Sequence, residues 1–374
     1  MGKFLKNFSN KASVTKGYQR PQHRTYLTAT EWRNVDMSEE YAAFLQTKQP
    51  FYRFPFFYQL YLLWKVFFKS YAAARKESSH LELIFSEVML MTLFVAINTT
   101  FEYAVKGLVS LLLWPFLPKK NSTEFQGHVA HLFKDYADFI HHTPFYNYSY
   151  FSKLGELFSN FWKSKRKSFV DVVTLLGVAI DFIVHGIVAF PVGFWYNKKE
   201  NKEAETIDVL VKMSSDEGIS EHSLDQELRQ KIAGIKDVSI VEASGQERIF
   251  TRLSNKPEKH RTYVYAQLRV PRYEPFQSTV ERLADAGICV REIAGQHHIQ
   301  LKCLIKGDTS EQLHLREEAL SQLPDCRKLF SYHNGIEQGL TFFSLDVPTK
   351  RLTKVVQDIS TKMEGTSIKL MHDF

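Results

Sequence analysis

Two long apolar stretches, residues 88–117 and 169–196, each carry an ionisable pair near the middle: Glu102 with Lys106, and Asp181 with His185. Each pair is spaced i,i+4, so its members share one face of a helix. As a helix the first stretch would run about 45 Å, more than the roughly 20 residues needed to cross a hydrocarbon core. A charged side chain at mid-bilayer costs about 2.5–3.5 kcal/mol, whereas each Val, Leu, Ile or Phe returns roughly 0.3–0.6 kcal/mol. Each helix is therefore marginal alone, and the charges need partners. In an antiparallel hairpin Lys106 meets Asp181 and Glu102 meets His185 at a common depth. The expected fold is a membrane α-helical hairpin with interfacial amphipathic helices, followed by a soluble α+β region.

Composition supports this split. Mean hydropathy over the 374 residues is −0.26, which reads as soluble, but the average hides two regimes. Residues 51–199 hold most of the 30 Phe and both long helices, expected at 81–117 and 169–196, while 200–374 alternate charged and apolar positions. The residues before 51 form a basic arm and a short helix from Glu31 to about Gln46. Lys3, Lys6, Lys11, Lys16, Arg20 and Arg24 precede the first acid, Glu31, and the segment lacks the apolar core of a secretory signal. In composition it resembles a mitochondrial transit segment, although Lys outnumbers Arg.

The formal charge of +7 is concentrated beside the apolar stretches. Lys119 and Lys120, then Lys163, Lys165, Arg166 and Lys167, then Lys198 and Lys199 flank the two helices. Such placement points to phospholipid head groups, anionic lipid in particular, and away from nucleic acid, whose aromatic strand signatures are missing. Because every flank is basic, charge asymmetry does not fix the topology. Between Phe51 and Phe68, aromatics interleave with Arg53 and Lys65, the composition of an interfacial helix. The 118–168 connection, with Phe133, Tyr136, Phe139 and Ile140 in a helical stripe, reads as one or two more. Asn121 and Asn147 begin N-x-[ST] patterns, which matter only in a lumenal loop.

Beyond a charged linker at 197–205 the pattern repeats strand, helix, strand. Strands are expected at 207–213, 238–243, 248–253, 262–270, 288–293, 298–305, 327–332, 340–347 and 367–371, and helices at 221–233, 276–286, 310–322 and 349–363. Two tandem ferredoxin-like units built from βαβ elements account for this order, without detectable sequence repetition.

Chemistry is sparse. The chain has no GxxxxGK[ST], GxSxG or HExxH and no GxGxxG at a strand–helix junction, so no catalytic residue and no cofactor is assigned. Cys289, Cys303 and Cys326 lack metal or disulfide spacing. His128 and His131 are the weak metal candidates. Their HxxH spacing, near His141 and His142, differs from the HxxxH and HxxHH boxes of membrane di-iron hydroxylases. The ExxH pairs at Glu77–His80 and Glu311–His314 fall in different regions.

The expected function is that of a non-catalytic, membrane-embedded structural or assembly subunit, whose partners are other membrane subunits and lipid. The mitochondrial inner membrane, with an energy-converting complex such as the ATP synthase or respiratory chain, fits the basic arm. Two alternatives are a membrane transporter or enzyme using Glu102, Lys106, Asp181 and His185, and a bacterial inner-membrane component of a secretion or envelope machine. A soluble helical domain with a buried polar core is the fourth.

Overall fold

The structure, a computed structural model, describes residues 22–47, 49–116, 123–199, 206–214, 221–243, 246–247, 249–253, 262–272, 274–334, 336–337 and 339–372. The basic residues from Lys3 to Arg20, the pair Lys119 and Lys120, and Asn121 lie outside these residues. Lys198 and Lys199 are described in backbone only. The chain is a mixed assembly of helices and antiparallel sheets in two compact units. One comprises Leu27–Asn201 with Asn334–Gln338, and the other Met1–Tyr26, Lys202–His333 and Gly339–Phe374.

The first unit is helical. Its elements are α1 (Gln22–Gln46, from Leu27 onward in this unit), a 3-10 turn at Phe51–Arg53, α2 (Phe56–Ala74), α3 (His80–Ile84), α4 (Glu87–Leu113), α5 (Glu124–His142), a second 3-10 turn at Phe145–Asn147, α6 (Tyr150–Lys163) and α7 (Phe169–Lys199). The expected helix 81–117 is corrected to two. Ser79 and Glu82 form a reciprocal capping box that opens α3, and Ser86 accepts from Met89 N to open α4. A second N-cap inside an apolar run starts a new helix because it satisfies amides that the preceding turn no longer can. The expected helix from Glu31 is likewise corrected to begin at Gln22, while α7 continues through Pro191 to Lys199.

Helix α4 packs along α2 and the 51–53 turn, and α7 along α6 and the 145–147 turn. The inward face of α4 is Met89, Thr92, Ala96, Tyr103, Gly107 and Ser110, of which Thr92, Ala96, Gly107 and Ser110 are small enough for close helix approach. The core beneath is aromatic: Tyr41 lies edge-on to Phe54 and Phe133 at 4.8 and 4.7 Å between centroids. Each such contact adds about 0.5–1.5 kcal/mol beyond area burial.

The second unit is α+β, with β1 (Thr206–Ser214), α8 (Glu221–Ala233), the short strands β2 (Ser239–Ile240), β3 (Glu242–Ala243) and β4 (Gln246–Glu247), β5 (Ile249–Leu253), β6 (Thr262–Pro271), α9 (Glu274–Asp285) and β7 (Cys289–Ile293). There follow β8 (His298–Lys306), α10 (Ser310–Ser321), β9 (Arg327–His333), β10 (Leu340–Pro348), α11 (Thr349–Lys362) and β11 (Thr366–His372). One sheet has the order β2–β6–β1–β7, with β5 also on β6, and the other β11–β8–β10–β9. Pairing is antiparallel in both. Period-two alternation sets the register: Val209 faces Leu268 and Val211 faces Ala266, while Leu301 faces Leu345 and Cys303 faces Phe343. All eight are buried.

The two sheets share one continuous core. Helix α11 packs on β7 as well as on β10 and β11. Thr349 N donates to His297 O at 2.8 Å, and Gln357 Nε2 donates to Ala284 O at 3.0 Å. Gly287, at φ +73°, ends α9, with Ile288 N bonded to Leu283 O and Gly287 N to Ala284 O. This is the left-handed helix stop that favours glycine.

Candidate functional site

Glu102, Lys106, Asp181 and His185 come together between α4 and α7. Lys106 Nζ lies 2.5 Å from Asp181 Oδ2 and 2.6 Å from Glu102 Oε1, and His185 Nε2 lies 3.4 Å from Glu102 Oε2. Partner numbers rise along α4 as they fall along α7, so the helices run antiparallel at this point. The i,i+4 spacing puts each pair on the face of its helix that meets the other helix.

His185 Nδ1 lies 2.9 Å from the Asp181 carbonyl oxygen. A carbonyl only accepts, so Nδ1 is the donor in this contact, which leaves Nε2 turned toward Glu102. Three rings surround the Lys106 ammonium, those of Tyr41, Tyr103 and Phe133, at 5.6, 5.4 and 5.9 Å from its nitrogen. Such rings attract a desolvated cation through their negative faces. Tyr150 stacks on His185 at 5.7 Å with an interplanar angle of 10°, and Tyr150 Oη bonds Tyr136 Oη at 3.3 Å. Burial pushes the Tyr136 phenol up to about 12, so it is a neutral hydrogen-bonding group. Nothing here is an exposed nucleophile beside a base. The arrangement chemically suits charge neutralisation between helices.

Two polar clusters escaped sequence inspection. Buried Arg33 on α1 reaches Glu40 Oε1 at 2.7 Å and also Gln59 Oε1 on α2, while Gln59 Nε2 donates to Glu40 Oε2 at 2.6 Å. Arg33 and Glu40 are i,i+7, a spacing that a search for i,i+4 pairs passes over. Asp171, also buried, caps α7 through Ser168 N at 2.8 Å and accepts from Thr123 Oγ1 at 2.7 Å and Gln126 Nε2 at 3.2 Å. The signal for this second cluster was the Ser-x-x-Asp start of α7.

His128 and His131 lie on α5, and no group of three metal-capable side chains forms among the described residues. His141 instead pairs with Glu39 at 2.6 Å. Lys163, Lys165, Arg166 and Lys167 are exposed in the turn between α6 and α7. In the α+β unit Asp346 binds His298 at 3.0 Å and Arg327 at 2.9 Å, an ion pair across neighbouring strands. His333 bonds Thr341 Oγ1 at 2.9 Å beside the β9–β10 connection.

No protein-family model and no curated protein matches the chain. A solved structure titled as an unknown protein from Galdieria sulphuraria aligns over 46% of this chain and 99% of its own at 14% identity, with a TM-score of 0.17. A similarity that low carries no argument about fold or function.

Proposed function

We propose that the chain is a non-catalytic, membrane-embedded subunit of a large inner-membrane complex. Helices α4 and α7 form an antiparallel transmembrane hairpin, with α2, α5 and α6 at the interface. The α+β unit forms two ferredoxin-like modules, each a βαββαβ string with sheet order 4-1-3-2 once the short strands of the first are set aside. A mitochondrial inner membrane, and an energy-converting complex within it, rest on the composition of the N-terminal arm alone.

The observation that carries the membrane reading is a pair of outward apolar stripes. On α4 they are Leu90, Phe94, Ile97, Phe101, Leu108 and Leu112, and on α7 Phe169, Val172, Leu176, Ile180, Ile187, Phe190 and Phe194, all exposed. Steps of three, four and seven residues keep each on one helix face, over about 33 and 37 Å of helix. Only 22% and 44% of the two apolar windows are buried, unlike a core helix of a soluble domain. Uncovered apolar surface of this extent is uncommon on soluble monomers.

The test is alkaline carbonate extraction followed by native gel migration in mild detergent. Retention in the membrane with migration in a large complex is expected. Release by carbonate would overturn the membrane reading, and a clean monomer after mild extraction would overturn the subunit reading. A second reading, a membrane transporter or enzyme using the quartet, rests on the clustering of its four ionisable groups. Under it, Asp181→Asn abolishes transport with assembly intact, whereas lost assembly supports the structural role.

A further inference from the structure

The turn from Trp162 to Ser168 joins α6 to the start of the α7 apolar stripe. It holds Lys163, Lys165, Arg166 and Lys167, all exposed. Lys167 is folded back: its Nζ donates to Ser164 O at 3.0 Å and Trp162 O at 3.3 Å and lies 5.7 Å from the Phe161 ring centroid. Those bonds fix the turn and leave the other three cations pointing outward. No ion pair involves Lys163, Lys165 or Arg166 among the described residues. The neighbouring carboxylates are engaged, Glu156 with Lys153 at 3.3 Å and Asp171 within its capping network. The turn is thus a concentration of positive charge with no compensating acid.

Its apolar surroundings define a depth. Phe151, Phe158 and Trp162 lie on one face of α6 at steps of seven and four and are exposed, Trp162 by 71%. From the Lys106–Asp181 pair toward this end, α7 reaches Phe169 after about 18 Å and α4 reaches Trp114 after about 12 Å. Both distances are close to half of a hydrocarbon core about 30 Å thick. Trp114 is exposed, with the Arg53 guanidinium 4.9 Å from its ring centroid. Trp114, beside Arg53, and Trp162, with Lys167 Nζ 6.0 Å from its ring centroid, therefore belong to segments at the same end of the hairpin, the placement of aromatic and basic residues where head groups meet acyl chains.

Resting on the membrane reading above, we propose that the Trp162–Ser168 turn with the exposed aromatic face of α6 is a binding site for anionic phospholipid. Lys163, Lys165 and Arg166 hold the head-group phosphates, and Phe151, Phe158 and Trp162 lie against the acyl chains. Arg166 offers a planar fork that matches a phosphate, which an ammonium does not. The site places this end of the hairpin in the more anionic leaflet.

The full-length protein in mild detergent is titrated with phosphatidylglycerol or phosphatidylcholine, and bound lipid is counted by native mass spectrometry. Wild type is expected to bind phosphatidylglycerol at least tenfold more tightly. The variant Lys163→Gln/Lys165→Gln/Arg166→Gln should lose most of that preference, since each cation near an anionic surface contributes roughly a fivefold effect. Lys163→Arg/Lys165→Arg should retain it, which separates loss of charge from misfolding. Equal binding of the two lipids by wild type, or an undiminished preference in the triple variant, would overturn the site while carbonate-resistant membrane retention left the membrane reading standing. Carbonate release of wild type would overturn both.

Discussion

Lys106 and Asp181 form a cross-helix ion pair at 2.5 Å, and the same ammonium also serves Glu102 at 2.6 Å on its own helix. One cation thus stands between two carboxylates in a largely buried setting, and removing it leaves both without their main counter-charge. Lys106→Met should destabilise the helical unit by about 3–5 kcal/mol, the usual effect of stranding a buried charge. Adding Glu102→Gln and Asp181→Asn should recover much of that loss, because no buried carboxylate is then left without its ammonium. Thermal unfolding in detergent followed by intrinsic fluorescence measures both variants, and a Lys106→Met protein that melts with wild type contradicts a structural role for this cross-helix ion pair.

A second pair predicts a pH profile. Burial disfavours ionised Asp135, but hydrogen bonds from Lys153 at 2.9 Å and Tyr148 at 3.0 Å outweigh it and hold the carboxyl below its ordinary value. The hydrogen bond to Asp135 raises Lys153 above the usual lysine value against a smaller opposing effect of burial. A lowered carboxylate contributes stability above its unfolded pKa of about 3.9 and loses it as pH falls through the folded value. A raised lysine contributes below its unfolded value of about 10.4 and loses that as pH rises through the folded one. The pair therefore stabilises the plateau between. Asp135→Asn should remove less than about 1 kcal/mol there, given its exposure, and flatten the acid limb. Denaturant midpoints at about pH 3, 4 and 7, on either side of the carboxylate range, would show an unchanged acid limb if the pair were idle.

Glycine substitutions in the α+β unit separate backbone conformation from steric overlap. Gly339 and Gly287 both have positive φ, +79° and +73°. A Cβ on Gly339 would lie 2.5 Å from the Gly307 carbonyl oxygen, whereas one on Gly287 meets nothing within 4 Å. Gly287→Ala should cost about 1–2 kcal/mol, the left-handed penalty alone. Gly339→Ala should cost more, because Gly307 N also donates to Gly339 O at 2.9 Å and fixes the opposing backbone. Equal denaturation midpoints for the two variants would exclude the overlap.

Thiol labelling should follow a fixed order. Cys289 is exposed, Cys326 partly covered and Cys303 buried. Burial, and then the charge of Cys326, pushes the Cys303 thiol up to about 12; burial, and then Asp346 and Asp325, push Cys326 up to about 11. Since the thiolate is the nucleophile, maleimide at neutral pH should modify Cys289 first, Cys326 slowly and Cys303 only after unfolding. Peptide mass mapping over time reads the order, and early Cys303 modification would contradict the packing of β8 against β10.

Much of the secondary structure was legible because its signals are local. Period-two alternation marks strands at 298–305 and 340–347, each within a residue of the observed His298–Lys306 and Leu340–Pro348, and the complementary i,i+4 pairs bring Glu102, Lys106, Asp181 and His185 together in an antiparallel hairpin. The break between α3 and α4 depends on Ser86 acting as a cap inside an otherwise continuous apolar run, a detail that hydropathy averages away. The Arg33–Glu40–Gln59 network joins two helices through groups with no common period. The rings around Lys106 come from α1, α4 and α5, so only tertiary packing identifies Tyr41, Tyr103 and Phe133 among the many aromatics of the chain.

The shared core of the two sheets has a consequence for how this region comes apart. Phe343 and Leu345 of one half and Val290 and Ile293 of the other belong to the same buried cluster, and α11 closes over β7 from the second half. Separating the halves would lay that surface open to water on both sides. They therefore constitute a single foldon: hydrogen exchange should show β1 and β8 opening together with one free energy, and neither half is expected to survive as an autonomous fragment.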